Sequence, residues 1–318
     1  MKKILITGGA GFIGSNLVEL LLRKDSQIWV IDNFLTSSAE NIKRFIKHPR
    51  FRFIETDLIT ANLEKTLNNT SFDIVYHLAS PASPKQYIKH PLRTLMVNSS
   101  GTFKILKYMK KTKSKIFIYA SSSEIYGDPL KHPQAEDYWG NVNPIGERSC
   151  YDEGKRFGEA LCVSYFRKHH LDIRVARIFN TYGPNMEKDD GRAISNFVVQ
   201  ALQNKPLTIY GDGQQTRSFC YVSDLIEGLY RLGIKSVRGE VINLGNNNEK
   251  KIIEIAKLIK SLTNSSSKIV FKPLPKDDPK KRKPNIEKAI KLLHWQSKTP
   301  LEKGLNLTIN YFKERLCL

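Results

Sequence analysis

The chain has 318 residues, enough for one large domain or two modest ones, and its 40% hydrophobic content supports a sizeable core. Four widely spaced cysteines with no Cys-x-x-Cys pair argue against a disulfide framework or a zinc site, and no apolar run approaches the roughly 20 residues of a membrane span. The formal net charge of +20 is spread along the chain rather than gathered in one tract, which suits an anionic small-molecule substrate better than a nucleic acid.

The start, Met1-Lys2-Lys3 before apolar residues, faintly imitates a signal peptide. Gly8, Gly9, Gly11 and Gly14 interrupt it and no cleavage pattern follows, so a first strand in a soluble cytoplasmic protein is expected. That strand is predicted over 3–7. A helix follows over 12–23, where Ile13, Leu17, Leu20 and Leu21 recur at helical spacing. Further strands are predicted at 27–31, 51–54, 72–78 and 115–120, and helices over 99–111 and 152–169. Such alternation implies an α/β fold with a doubly wound parallel sheet of the Rossmann type. Beyond residue 180 the pattern loosens. Gly183-Pro184 breaks the chain, Gly211-Asp212-Gly213 marks a turn, and helices are expected over 193–203, 223–232, 251–262 and 285–293. The division expected is a nucleotide-binding domain over 1–180, rejoined by 213–246, and a smaller C-terminal substrate-binding lobe made of 181–212 and 247–318.

Thr7-Gly8-Gly9-Ala10-Gly11-Phe12-Ile13-Gly14 joins the first strand to the first helix. Gly8 allows the tight turn, Gly11 lets backbone approach a pyrophosphate at the positive helix end, and Gly14 permits close helix–sheet packing. Asp32 ends the second strand, where a carboxylate accepts hydrogen bonds from adenosine ribose hydroxyls. It would repel the extra phosphate of NADP, and Asn33 to Ser38 offer no arginine to attract one, so NAD is the expected cofactor. Asp57, after the next strand, is placed to reach the adenine.

Tyr151 and Lys155 stand four residues apart on a predicted helix and so share a face. An ammonium beside a phenol favours the phenolate, which suits a base that takes a proton from an alcohol. An isolated Tyr-x-x-x-Lys is commonplace, and its meaning here comes from the surrounding segments.

Those segments are the glycine loop, Tyr76-His77-Leu78-Ala79-Ser80, Ser121-Ser122-Ser123-Glu124-Ile125-Tyr126-Gly127, the Tyr151/Lys155 pair and Arg177-Ile178-Phe179-Asn180-Thr181-Tyr182-Gly183-Pro184. With them the chain resembles the extended short-chain dehydrogenases/reductases, the family of nucleotide-sugar epimerases, dehydratases and decarboxylases. Leu78 through Pro84, Tyr138 through Gly146, Gly211 through Asp224 and Asp277 through Pro284 resemble its UDP-glucuronate decarboxylase branch most closely. Asn285 stands where aspartate is usual, and the membrane anchor of vertebrate members is not expected.

The resemblance implies NAD-dependent conversion of UDP-glucuronate to UDP-xylose through a transient 4-keto sugar, with the hydride returned to the product. Another nucleotide-sugar epimerase or a 4,6-dehydratase is the alternative. It implies Tyr151 as base, Lys155 beside it and on the nicotinamide ribose, and Ser122 on the same sugar oxygen. Glu124 is expected to position the ring or handle a proton at carbon 5, with a raised pKa. Arg217 is expected near the sugar carboxylate or the nucleotide. Ser123-Glu124 replaces the Asp-Glu dyad common in sugar dehydratases, which favours decarboxylation over dehydration. Phe12, Ile13, Asn33, Leu58, Leu78 and Ala79 complete the expected cofactor contacts. Tyr87, Asn180, Arg192, Tyr210, Gln215 and Arg282 are expected to line the sugar-nucleotide site, Arg282 by pairing with the diphosphate. His77 reads as structural. No metal, membrane or specific nucleic acid is expected, and a homodimer through the helices over 99–111 and 152–169 is.

Overall fold

The computed structural model describes residues 1–317. Its centre is a parallel sheet of seven strands: β1 (Lys3–Thr7), β2 (Gln27–Asp32), β3 (Phe51–Glu55), β4 (Ile74–His77), β5 (Ile116–Ser122), β6 (Asp172–Ile178) and β7 (Val241–Leu244). Their spatial order is β3-β2-β1-β4-β5-β6-β7. The order reverses between β1 and β4, which opens a crevice beyond the carboxyl ends of the strands.

The sheet is buried on both faces, and the alternation of β1 shows why. Ile4 and Ile6 join one core, and Leu5 between them joins the other. The first core takes in α1 (Phe12–Arg23). The second takes in Ile105, Leu106 and Met109 of α2 (Thr102–Thr112) and Cys162 of α3 (Ser149–His169). The first core continues into α4 (Ala193–Leu202), α5 (Val222–Ile234), α6 (Ile252–Leu262) and α7 (Leu301–Leu316).

The predicted helix over 12–23 and strand over 3–7 match α1 and β1 end to end. The helix expected over 99–111 differs. A wide π-helical turn spans Val97–Gly101, and the regular helix starts at Thr102. Asn98 is fully buried there and donates to the Thr94 carbonyl (2.8 Å) and to Ser80 Oγ (2.9 Å). That side chain ties the turn to the loop after β4.

Small sheets frame the crevice. Leu207–Tyr210 pairs with Ile269–Lys272 in parallel. Thr216–Ser218 lies between Glu249–Lys251 and Lys281–Arg282. Within the expected returning segment 213–246, therefore, only the part carrying α5 and β7 joins the large sheet layers. No helix of the described residues is long and apolar enough to cross a membrane.

Candidate active site

The turn after β1 needs glycine for steric reasons. Gly8 has φ +74°, and a Cβ there would come within 2.8 Å of the Leu78 and Ala79 backbone. A Cβ on Gly14 would sit 2.3 Å from the Gly8 carbonyl oxygen. Asp32 stands at the end of β2 and accepts from the Ala10 amide (3.0 Å), the Phe34 amide (3.0 Å) and Ser37 Oγ (2.8 Å). Its carboxylate thus fixes both loops that flank the crevice. Asp57 accepts from Asn33 Nδ2 at 3.2 Å and from Arg93. Gly8, Gly11, Phe12, Ile13, Gly14, Asp32, Asn33, Asp57, Leu58, Leu78 and Ala79 all line one cavity of ≈ 840 Å³. A bare-backbone turn at a helix start, with a carboxylate on the neighbouring strand, fits a dinucleotide.

Ser122, Glu124, Tyr151 and Lys155 line the same cavity. Tyr151 and Lys155 occupy the first turns of α3, and both are buried. Lys155 Nζ donates to the Ala120 carbonyl at 2.8 Å and lies 5.6 Å from the centre of the Tyr151 ring. Burial pushes the Lys155 pKa down to about 7. Burial also pushes Tyr151 up to about 12, although the Ser122 hydroxyl and Arg192 pull the other way. These surroundings favour the protonated phenol, where the four-residue spacing alone suggests a lowered pKa. Desolvation is the largest contribution for each group, lowering Lys155 and raising Tyr151. Tyr87 stacks on Tyr151 with ring centres 4.9 Å apart and planes 9° from parallel.

Glu124 departs from expectation in the opposite sense. Burial alone would raise its pKa, but the Arg148 and Arg282 guanidiniums outweigh it and hold the carboxyl down at about 2. Glu124 is thus a fixed anion and not a reservoir of a proton.

Arg282 is a correction. It is 1% exposed and does not line the cavity. Its Nη1 donates to Ser123 Oγ and Glu124 Oε1, both at 2.9 Å, and its Nη2 to the Gly127 carbonyl at 2.9 Å. Both terminal nitrogens are thus committed to the protein's own acceptors, its Nε is buried without a partner, and the side chain faces Glu124 rather than the cavity expected to hold a diphosphate. Its position behind Glu124 follows from the pairing of Lys281–Arg282 with Thr216–Ser218. The serine that replaces a dehydratase aspartate, Ser123, serves here as an acceptor for Arg282.

The other sugar-side candidates, Tyr87, Asn180, Arg192, Tyr210, Gln215 and Arg217, do line the cavity. Arg192 pairs with Asp190 and lies over the Phe12 ring. Gln215 Nε2 donates to the Tyr210 carbonyl at 2.6 Å. Arg217 donates to the Thr216 carbonyl (2.8 Å) and to Asp278 (2.9 Å). His77 is buried between Thr7 Oγ1 (2.6 Å) and Thr102 Oγ1 (3.0 Å), and burial lowers its pKa to about 3. It is a neutral packing residue.

Two residues not singled out by sequence complete the cluster. Arg148 joins Glu124 to Asp278, and Asp278 joins Arg148 to Arg217. A signal for Arg148 existed: it precedes Tyr151 by three positions, so a helix start there puts both on one face. Asp278 sits in the segment Asp277 through Pro284, which carries the family resemblance without by itself marking this aspartate as part of the site.

Comparison with known proteins agrees with this geometry. The family model described as GDP-mannose 4,6 dehydratase matches residues 5–308. The chain is 48% identical over 315 residues to UDP-glucuronic acid decarboxylase 1 of Xenopus tropicalis, covering 99% of this chain and 73% of that protein. It is 49% identical over 315 residues to UDP-glucuronic acid decarboxylase 3 of Arabidopsis thaliana, covering 99% and 90%. Among solved structures it resembles UDP-glucuronic acid 4-epimerase from Bacillus cereus in complex with UDP-glucuronic acid and NAD (33% identity, TM-score 0.88, 98% and 99% covered). It also resembles UDP-glucose 4-epimerase from Thermotoga maritima (30% identity, TM-score 0.92, 99% of each chain). With its seven-stranded parallel sheet, its glycine turn and the Tyr151/Lys155 pair beside it, the chain belongs to the extended short-chain dehydrogenase/reductase family, in the group the GDP-mannose 4,6 dehydratase model describes.

Proposed function

We propose that the chain is an NAD-dependent UDP-glucuronate decarboxylase that makes UDP-xylose and carbon dioxide. The observation that carries this is 48–49% identity to decarboxylases across 99% of the chain, against 30–33% to the epimerases of like fold. Direct loss of carbon dioxide from a sugar acid would leave an unstabilised carbanion. A ketone at carbon 4 makes the acid a β-keto acid, and the carbanion becomes an enolate, which takes a proton at carbon 5 from water before the ketone is reduced. Bound along the glycine turn and Asp32, NAD supplies the oxidation at carbon 4 and its reversal.

The chain's own residues do the rest. Tyr151 acts as the phenolate, a form that the cationic charge of bound NAD and of Lys155 would favour; it takes the proton from the 4-hydroxyl and later gives it back. Ser122, beside Tyr151, donates to the same oxygen and steadies the charge that develops on it. Lys155, held by the Ala120 carbonyl, would meet the nicotinamide ribose of bound NAD. Glu124, ionised between two guanidiniums, orients the ring and anchors Arg148. Arg217 is the cation for the sugar carboxylate: it lines the cavity, has one carboxylate partner, and stands in the charge cluster of Glu124 at the catalytic end. Purified protein given UDP-glucuronate should release carbon dioxide and UDP-xylose with no net gain of NADH absorbance. Absence of carbon dioxide refutes the decarboxylase reading, and a stoichiometric rise in NADH refutes the return of the hydride.

The protein is also proposed to act as a homodimer. Leu92 and Met96 of the short helix Pro91–Met96, Phe103 of α2 and Phe157 of α3 are 75%, 45%, 47% and 53% exposed. Apolar side chains so exposed on neighbouring helices favour a self-complementary contact.

A further inference from the structure

Asp278 occupies two arginines that an acidic sugar would want. Its Oδ1 accepts from Arg148 Nη1 at 3.1 Å and its Oδ2 from Arg217 Nη2 at 2.9 Å. All three residues line the cavity, and the arginines come from separate elements, the start of α3 and the strand Thr216–Ser218. A carboxylate spanning two buried guanidiniums has the chemistry of a bound sugar acid. We propose that Asp278 is a specificity-determining residue: an internal carboxylate that holds Arg217 in the free protein and yields it to the carboxylate of the incoming substrate. The proposal rests on the UDP-glucuronate reading above.

The charges in the cluster support an exchange of this kind. Three guanidiniums, Arg148, Arg217 and Arg282, meet two carboxylates, Glu124 and Asp278. One positive charge is left over in a buried place. Asp152 is the next carboxyl within electrostatic reach, on the same helix face as Arg148. Burial and the neighbouring Glu124 push its pKa up to about 8, despite Arg148 and Arg282. Near neutral pH it keeps its proton and leaves the deficit unfilled.

The surplus falls on Arg217. Arg282 and Arg148 share Glu124, whereas Arg217 has Asp278 and one carbonyl. Burial lowers the Arg217 pKa, and Arg282 and Arg148 push it the same way, so Asp278 does not fully compensate it. Arg148 is different: its acids outweigh burial and raise its pKa. Of the two arginines that touch Asp278, Arg217 is therefore the one that gains more from a second anion.

The segment that carries Asp278 is irregular and is anchored on either side of it. Residues 273–280 form neither helix nor strand. Asp277 is tied to Asn143 Nδ2 at 3.2 and 3.3 Å, and the Lys280 amide to Asp128 Oδ1 at 3.0 Å. Pro275 and Lys276 line the same cavity, and with these anchors holding the backbone the exchange needs only the Asp278 side chain to turn away.

The test is calorimetric titration of NAD-loaded protein carrying Tyr151→Phe, which keeps the sugar from being consumed. UDP-glucuronate and UDP-glucose are compared with and without Asp278→Asn. The expected result is UDP-glucuronate binding tightened roughly fivefold or more by Asp278→Asn, with UDP-glucose within about twofold. Weaker or unchanged binding of the acid, or an equal shift for both sugars, overturns the proposal. Asp277→Asn loosens the segment without touching either arginine and should leave the acid-to-neutral ratio alone; an equal change there also overturns it. If Asp278→Asn does not fold, Asp278→Ser gives the same comparison. Failure of the decarboxylase reading shows separately, as wild-type protein that releases no carbon dioxide from UDP-glucuronate.

Discussion

Arg282 and Glu124 show how burial reassigns a side chain. In sequence Arg282 sits in a basic run that reads as a phosphate site. Folded, it is among the largest fully buried side chains and braces Glu124 from behind. Arg282→Met should cost about 3 kcal/mol or more of stability by denaturant unfolding, because Glu124 loses one of two buried partners. It should leave the affinity for UDP unchanged; a stable variant with weakened UDP binding would restore the diphosphate role. Asp152 permits a pH test. Its folded pKa, about 8, lies above the 3.8 of a free aspartate, so between those values the folded state binds more protons than the unfolded one. Stability from this group is full below about pH 4 and is lost as pH rises toward 8. Asp152→Asn should flatten that part of the stability profile, and an unchanged slope would remove Asp152 as its source. The residue types of the site were legible because Tyr151, Lys155, Ser122 and the glycines stand at fixed local spacings. The ion-pair ladder through Arg148 and Asp278 was not, since it joins positions 130 residues apart and depends on which surfaces are dry.

The glycine turn and β1 were legible because short-range sterics and alternation decide them. Gly14→Ala places a methyl group against backbone that no rotamer change can relieve. It should weaken NAD binding at least tenfold by calorimetry, the worth of about 1.4 kcal/mol; normal affinity would mean that the turn has slack. The start of α2 was not legible, because the π-helical turn depends on Asn98 finding Ser80 across the fold. β7 was missed because four residues carry too little pattern to separate strand from loop. α7 had a signal that went unread: Leu305, Thr308, Ile309 and Phe312 are buried at helical spacing.

Taken whole, the molecule is a cation with an anion-lined nucleotide crevice and an arginine-rich sugar end. The +20 charge is consistent with drawing in a UDP-sugar, and the proposed dimer would cover the exposed apolar residues of α2 and α3. Light scattering should give twice the chain mass for the wild type and a monomer for Phe103→Glu combined with Phe157→Glu. A monomeric wild type would dismiss the dimer. The central claim is that oxidation at carbon 4 is transient and serves decarboxylation. It is tested most directly with UDP-glucuronate carrying deuterium at carbon 4, converted by a small amount of protein and read by NMR and mass. The account predicts UDP-xylose that keeps the deuterium at carbon 4 while carbon dioxide is released. UDP-xylose without the label, or a labelled sugar that retains its carboxylate, would contradict it.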